Sequence, residues 1–105
     1  MATKTKWDAK DPADVANYWY DWSGFLPPGV GIISELVEQS TNEIYADIPI
    51  EIDVVETDFI GDQVRAKFSG GTAHTKYPMD CTITTSDDQI FQQTVWLSVE
   101  ERIIK

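Results

Sequence analysis

Apolar side chains at every second position are the feature that most constrains how this chain can fold. From Tyr77 to Ile83 they alternate with Pro78, Asp80 and Thr82, and the same period returns after residue 90. A period of two is typical of strands with one buried face, because successive side chains point to opposite sides. Similar runs recur along the chain between Gly, Pro, Asp and Ser turn signals. The pattern predicts an all-β, antiparallel β-sandwich of six or seven short strands.

The sequence pattern near the N-terminus predicts one short helical element before the first strand. Asp11 is a suitable cap and Pro12 a suitable first residue, which together favour one helical turn at residues 12–15. The aromatic residues that follow favour a strand at 17–22, and a second strand is predicted at 30–38. A hairpin is predicted later in the chain, at Asp87 and Asp88.

A further extended run is predicted from Ile44, interrupted at Pro49 and continued to Val54. Proline cannot donate a hydrogen bond to a neighbouring strand, so this strand should bend or lie at a sheet edge. The side chains of inward parity in all strands form the predicted core. They are Tyr20, Trp22, Ile32, Leu36, Ile52, Val54, Phe68, Tyr77, Met79, Cys81, Ile83, Val95 and Leu97.

Charge and length exclude several classes of function. The 105 residues suit one domain, predicted at 11–105, behind an N-terminal arm at 1–10. The arm has a formal charge of +2 within a chain of net charge −10. So acidic a chain does not suit nucleic acid or an anionic membrane surface, since both require clustered cations. It also has no apolar run of membrane-spanning length.

Candidate catalytic and metal-binding residues are few, which predicts a protein that is not an enzyme and uses no cofactor. Cys81 has inward parity and His74 lies in a glycine-rich loop, so neither has a sequence neighbour that would activate it. One Cys and one His cannot complete a zinc shell. Glu51 and Asp53 could in principle support glycoside hydrolysis, but on a strand they more often form a solvated face.

The run NYWYDWSG at residues 17–24 places four aromatic side chains within five positions. On a strand, Tyr18, Tyr20 and Trp22 share one face, so one row can be core and Trp19 is left on the other. Trp96 is similarly out of phase with its neighbours. Trp7 and Phe25 add apolar area nearby. Surplus aromatic residues on an acidic surface indicate a protein–protein interface, where Trp is a frequent anchor.

Two stretches, DPADVANYWYDWSGFL at 11–26 and FSGGTAHTKYPMDCTITTSDDQ at 68–89, carry a family resemblance. Their Asp-Pro, Asp-Trp-Ser, Ser-Gly-Gly-Thr and Ile-Thr-Thr-Ser motifs, in this order, resemble those of small tailed-phage fibre–tail adaptor or head–tail structural proteins. The resemblance implies an immunoglobulin-like sandwich without catalytic residues. It also implies a place in the virion, in rings of copies between tail or neck proteins and fibres.

Two functions follow as hypotheses. The first is a virion adaptor, assembled in the host cytoplasm, that contacts neighbouring chains through its surplus aromatic residues and its basic arm. Its predicted interface residues are Trp7, Trp19, Phe25, Trp96, Lys4, Lys6 and Lys10. The second is a carbohydrate-binding or host-recognition module, or a capsid decoration protein, in which exposed aromatic rings would stack on sugars.

Overall fold

The computed structural model describes residues 7–102, which form an all-β protein with a single short 3-10 helix in that range. The 3-10 helix, Glu43–Tyr45, lies between the second and third strands. The strands are β1 Ala16–Asp21, β2 Ile32–Gln39, β3 Ile52–Ile60, β4 Gln63–Gly70, β5 Thr75–Thr85 and β6 Ile90–Val99.

The strands form two three-stranded antiparallel sheets. The first sheet has the order β1-β4-β3 and the second has the order β2-β5-β6. Hairpins join β3 to β4 and β5 to β6, whereas the connections after β1, β2 and β4 cross from one sheet to the other. Asp88 takes a positive φ of 65° in the tight β5–β6 hairpin, a conformation that Asp tolerates better than most residues.

The hydrophobic core lies between the two sheets. Tyr20, Val64 and Phe68 of the first sheet belong to one buried cluster with Met79 and Leu97 of the second. Tyr20 also links the sheets by a hydrogen bond, since its hydroxyl donates to the carbonyl oxygen of Met79 at 2.9 Å. Burial raises the pKa of this phenol, so the hydroxyl keeps its proton.

Two β-bulges change which side chains face the core. The register of β2 shifts between Ile32 and Ser34, so the inward parity moves from even to odd positions. The prediction that Leu36 is a core residue is therefore wrong: Leu36 is exposed and Val37 is buried. A second shift follows Val54 in β3, which leaves that side chain only half-buried at the edge of the core.

Residues 7–10 run alongside β6 and join the body of the protein. The amides of Trp7 and Lys10 donate to the carbonyls of Trp96 and Ser98, at 3.4 and 2.9 Å, and Glu100 N donates back to Lys10 O at 2.8 Å. Lys10 and Val99 form a parallel bridge. Residues 7–10, the last four of the predicted arm, thus belong to the packed body.

Several predicted local elements differ in the structure. Residues 12–15 form no helix: Asp14 N donates to Asp11 O in a single turn, and Asp11 Oδ1 accepts from Ala13 N at 2.8 Å. The run from Ile44 forms the 3-10 helix instead of a strand, capped by the Asn42 side chain at Ile44 N. Residues 7–102 contain six strands, and no helix in that range is long and apolar enough to cross a membrane.

Candidate protein interface

Trp19 lies on the outer face of the first sheet, as its parity predicts. It pairs with Arg65 of β4, while the neighbouring Tyr20 and Val64 point into the core. The Trp19 side chain is 42% exposed. Trp is a frequent anchor of protein interfaces, so this exposed ring is a candidate contact point for another protein.

Two hollows adjoin Trp19. Asp8, Asn17 and Asp21 line the first with Gln63 and the aromatic residues of this edge, and Ser23, Ile60, Asp62 and Gln63 line the second. Three carboxylates therefore surround the ring, and neither hollow is lined by a lysine or arginine among residues 7–102. We call the surface formed by Trp19, Ile60, Gln63 and these three aspartates the Trp19 face.

Arg65 organises the outer face beside Trp19. Its guanidinium donates to both carboxylate oxygens of Asp58, at 3.0 and 2.9 Å, to Asn17 Oδ1 at 2.8 Å, and to Glu56. These hydrogen bonds connect β1, β4 and β3 and leave the Arg65 side chain 14% exposed. A bidentate arginine–carboxylate pair has a defined geometry, so the network holds this face in one arrangement.

The same hydrogen bonds keep the charges of the network fixed. Hydrogen bonds from Arg65 lower the pKa of both Glu56 and Asp58, and their carboxylates raise the pKa of Arg65 in return. Asp21 has a lowered pKa too, because the side chain and the amide of Ser23 hydrogen-bond to it. At neutral pH Asp21 in the Trp19 face, and Glu56 and Asp58 in the adjoining Arg65 network, are therefore ionised.

Trp7 and Lys10, both predicted as interface residues, are buried. The Trp7 ring packs on Tyr18, Tyr20 and Phe68 with centroid distances of 5.1, 4.9 and 5.6 Å. Its indole N–H donates to Trp19 O at 3.0 Å. Only 5% of Trp7 is exposed, so it has almost no surface left for a partner. The sequence did not reveal this, because residues 7–10 have no strand periodicity.

Lys10 has no exposed surface, although a lysine is usually solvated. Its ammonium donates to the carbonyls of Asp11 and Gly70 at 2.9 and 2.8 Å, and to that of Pro12 at 3.5 Å. Burial lowers the pKa of Lys10 against the opposing attraction of Asp14 and Asp11. Lys10 thus ties the N-terminal segment to the end of β4 and is unavailable to a neighbouring chain.

Phe25 and Trp96 differ in how much surface they present. Phe25 is 53% exposed and packs edge-on against Trp22 and Phe91, each at 5.4 Å. Trp96 is half-buried because Tyr45 packs edge-on against it at 5.2 Å. Tyr45 of the 3-10 helix therefore covers part of the Trp96 ring, which was predicted to contact a partner protein. Lys4 and Lys6 lie outside the described residues.

Cys81 and His74, considered above as catalytic or metal-binding residues, lie in different environments. Cys81 is buried, and burial raises the pKa of its thiol to about 12. His74 is exposed in a turn with φ 65° and contacts Glu100 at 3.0 Å. No group of three or more His, Cys, Asp or Glu side chains within residues 7–102 could hold a metal ion.

Sequence reasoning missed the partners of Trp19. Gln63 and Ile60 reach the same face only through the pairing of β1 with β4 and of β4 with β3. Both residues follow Trp19 by more than forty positions, and no local sequence pattern indicates that they lie beside it. The alternation of β4 could have indicated that Gln63, Arg65 and Lys67 share an outer face, but not which strands flank them.

A protein-family model identifies the kind of protein that carries this face. The model of the podophage GP4 fiber-tail adaptor protein gp77 matches residues 10–98. The chain belongs to this family. The match confirms the resemblance carried by the two motif stretches. This fibre–tail adaptor family is a structural class of phage protein and not an enzyme class. No curated protein and no solved structure matches the chain.

The adaptor family places the chain among the structural proteins of a virion, in contact with tail and fibre proteins. The family model covers β1 to β6 almost completely, ending within the last strand. The Trp19 face, whose residues fall between positions 8 and 63, is therefore nearly all within the matched region.

Proposed function

We propose that this chain joins the fibres of a podophage to the tail or neck of the particle, and that the Trp19 face is one of its contact surfaces. The observation that carries the proposal is the family match over residues 10–98. An immunoglobulin-like sandwich, assembly in the host cytoplasm and a ring of several copies belong to the same proposal.

The geometry supports this role in two ways. Trp19 is a large aromatic residue with charged groups around it, as in interfaces where an aromatic centre has a polar rim. The Arg65 network holds the sheet around it in one arrangement, so little conformational entropy is lost when a partner binds.

The basic arm is the third part of the proposal. Lys4 and Lys6 carry positive charge beside an otherwise acidic chain, which suits a contact with the acidic surface of a neighbouring copy. Such a contact between exposed charges is screened by salt.

The carbohydrate-binding alternative receives no support from the residues around Trp19. The two other aromatic side chains that line the first hollow, Trp7 and Tyr18, are buried or half-buried, and their rings pack on each other. Sugar-binding platforms usually need several open rings, whereas Trp19 is the one open aromatic ring among the residues lining these two hollows.

The test is reconstitution with the tail protein and the fibre protein of the same phage, each purified. We expect the adaptor to bind both at once, so that a three-component complex elutes together in size-exclusion chromatography. Trp19→Ala should weaken binding of one partner about tenfold or more, the effect of removing an interface anchor. Leu36→Ala is the control, since Leu36 is an exposed apolar residue on the other sheet.

The reconstitution has clear contrary outcomes. An adaptor that binds only one of the two proteins, or neither, contradicts the linking function. Equal binding by Trp19→Ala and the unaltered chain removes the Trp19 face from the proposal while the linking function stands. Native mass spectrometry of the complex gives the copy number and tests the ring.

A further inference from the structure

One end of the two sheets gathers turns that are far apart in sequence. Asp21 at the end of β1 pairs with Gln63 at the start of β4, which also pairs with Ile60 at the end of β3. In the second sheet, the start of β2 pairs with Thr85, just before the β5–β6 hairpin. Phe25 contacts both Trp22 and Phe91, which shows that the two sheets present these turns at the same end. We call this the hairpin end, and it comprises residues 21–33, 60–63 and 85–90.

The hairpin end is unusually apolar for an exposed surface. Each sheet contributes an open isoleucine at its last strand pairs, Ile60 from β3 and Ile90 from β6, and both are about two-thirds exposed. Ile33 at the bulge of β2 and Phe25 over the end of the core are more than half exposed. Single exposed apolar residues are ordinary, but four at one end of a small protein mark a contact surface.

The charge of the hairpin end is entirely negative. Asp21, Asp62, Asp87 and Asp88 lie there, and its three segments contain no lysine or arginine. The nearest arginine, Arg65, is already bound to Asp58 and Glu56. Exposed apolar side chains flanked by carboxylates are complementary to a partner surface that carries apolar side chains flanked by cations.

The body of a second copy, residues 7–102, does not fit this surface. Two hairpin ends facing each other would bring eight carboxylates together without a cation in the contact, which is repulsive. The opposite end, formed by residues 10–15, 40–51, 70–76 and 100–102, has seven acidic residues against three basic ones. Of those three, Lys10 is buried and Arg102 is paired with Asp14.

We propose that the hairpin end docks a different virion protein, one whose contact surface has an apolar centre and a rim of lysine and arginine. This inference rests on the proposed adaptor function and goes further, because it assigns one partner to one end of the molecule. The partner's apolar centre covers Phe25, its flanks reach Ile60 and Ile90 on the outer faces of the two sheets, and its cations face Asp62 and Asp88.

The experiment measures binding of the full chain to the purified tail protein and, separately, to the purified fibre protein of the same phage by biolayer interferometry. Ile60→Asp and Ile90→Asp add charge to the docking surface, and Ile60→Thr and Ile90→Thr keep a β-branched residue in case the acidic variants do not fold. Ile44→Asp and Ile50→Asp are the matched controls, since these positions are similarly exposed, at 75% and 62%, and lie at the opposite end.

We expect both hairpin-end substitutions to weaken binding of one partner about tenfold or more, the effect of losing an interface anchor, and the controls to leave it unchanged. Asp62→Asn with Asp88→Asn should weaken the same binding at low salt, and the difference should disappear at about 1 M NaCl, where exposed charges are screened.

Other outcomes overturn the inference in distinguishable ways. If the control substitutions abolish binding and the hairpin-end substitutions do not, the linking function stands and the hairpin end is not the docking surface. If binding depends on Ile60 and Ile90 but not on salt or the aspartates, the partner lacks a cationic rim. Self-association that Ile90→Asp removes would assign the surface to a second copy. If neither purified protein binds the unaltered chain, the proposed function fails as well.

Discussion

Replacement of Trp7 by alanine tests whether the N-terminal segment belongs to the folded body. The Trp7 side chain is almost fully buried, contacts three aromatic rings and donates its indole N–H to Trp19 O. It joins the edge of β6, through its backbone, to β1, through its indole. Loss of Trp7 should therefore loosen the edge at which the two sheets meet.

The magnitude follows from burial and from one hydrogen bond. Truncation of a buried Trp or Phe to Ala costs about 3–5 kcal/mol, and the indole hydrogen bond contributes about 1 kcal/mol within that range. We expect Trp7→Ala to lower the free energy of unfolding by about 4 kcal/mol, which is a large share of the roughly 5–15 kcal/mol typical of a domain. Trp7→Phe keeps most of the packing and should cost about 1–2 kcal/mol.

The assay is urea unfolding followed by far-UV circular dichroism, with the slope of the transition compared between variants. At a slope of about 1.5 kcal/mol per molar urea, the midpoint should fall by roughly 2–3 M for Trp7→Ala. Trp19→Ala, which removes a partly exposed ring, is the control and should cost about 1 kcal/mol. A loss below about 1 kcal/mol for Trp7→Ala would refute the reasoning and leave residues 7–10 as a loosely attached arm.

Two further predictions concern a glycine and the acid stability of the outer face. Gly71 has φ 98°, and an added Cβ would lie 2.8 Å from Val99 Cγ2, so Gly71→Ala should destabilise the fold by about 1–3 kcal/mol; a midpoint equal to that of the unaltered chain in the same urea assay would contradict this. Folding lowers the pKa of Glu56 and Asp58, so their carboxylates stabilise the folded state at any pH above the unfolded pKa values, which are near 4. This stabilisation is lost as the pH falls through the folded pKa values. Arg65→Gln should therefore flatten the fall in urea midpoint between about pH 5 and pH 2, and an unchanged slope would show that Arg65 does not set those pKa values.

Local patterns predicted the sheet-forming segments and much of the core. In β5, Tyr77, Met79, Cys81 and Ile83 are all buried, as alternation predicts, because a regular strand places every second side chain on one face. The split of the aromatic run was also correct: Tyr20 and Trp22 are buried and Trp19 is open. Alternation failed at Leu36, because one extra residue in a bulge reverses the parity of everything after it.

The sequence by itself determined that this chain is an acidic all-β protein with a surplus tryptophan at position 19, and its motifs indicated the adaptor family. These properties are local: parity, turn residues and charge can be read within a few positions. Tertiary structure alone decided that Trp7 and Lys10 are buried, that Arg65 stands beside Trp19, and that Phe25, Ile60 and Ile90 share one end. Each of these depends on strand pairing or sheet packing between residues far apart in the chain, and such contacts are set by the sum of burial and hydrogen bonding over the whole fold.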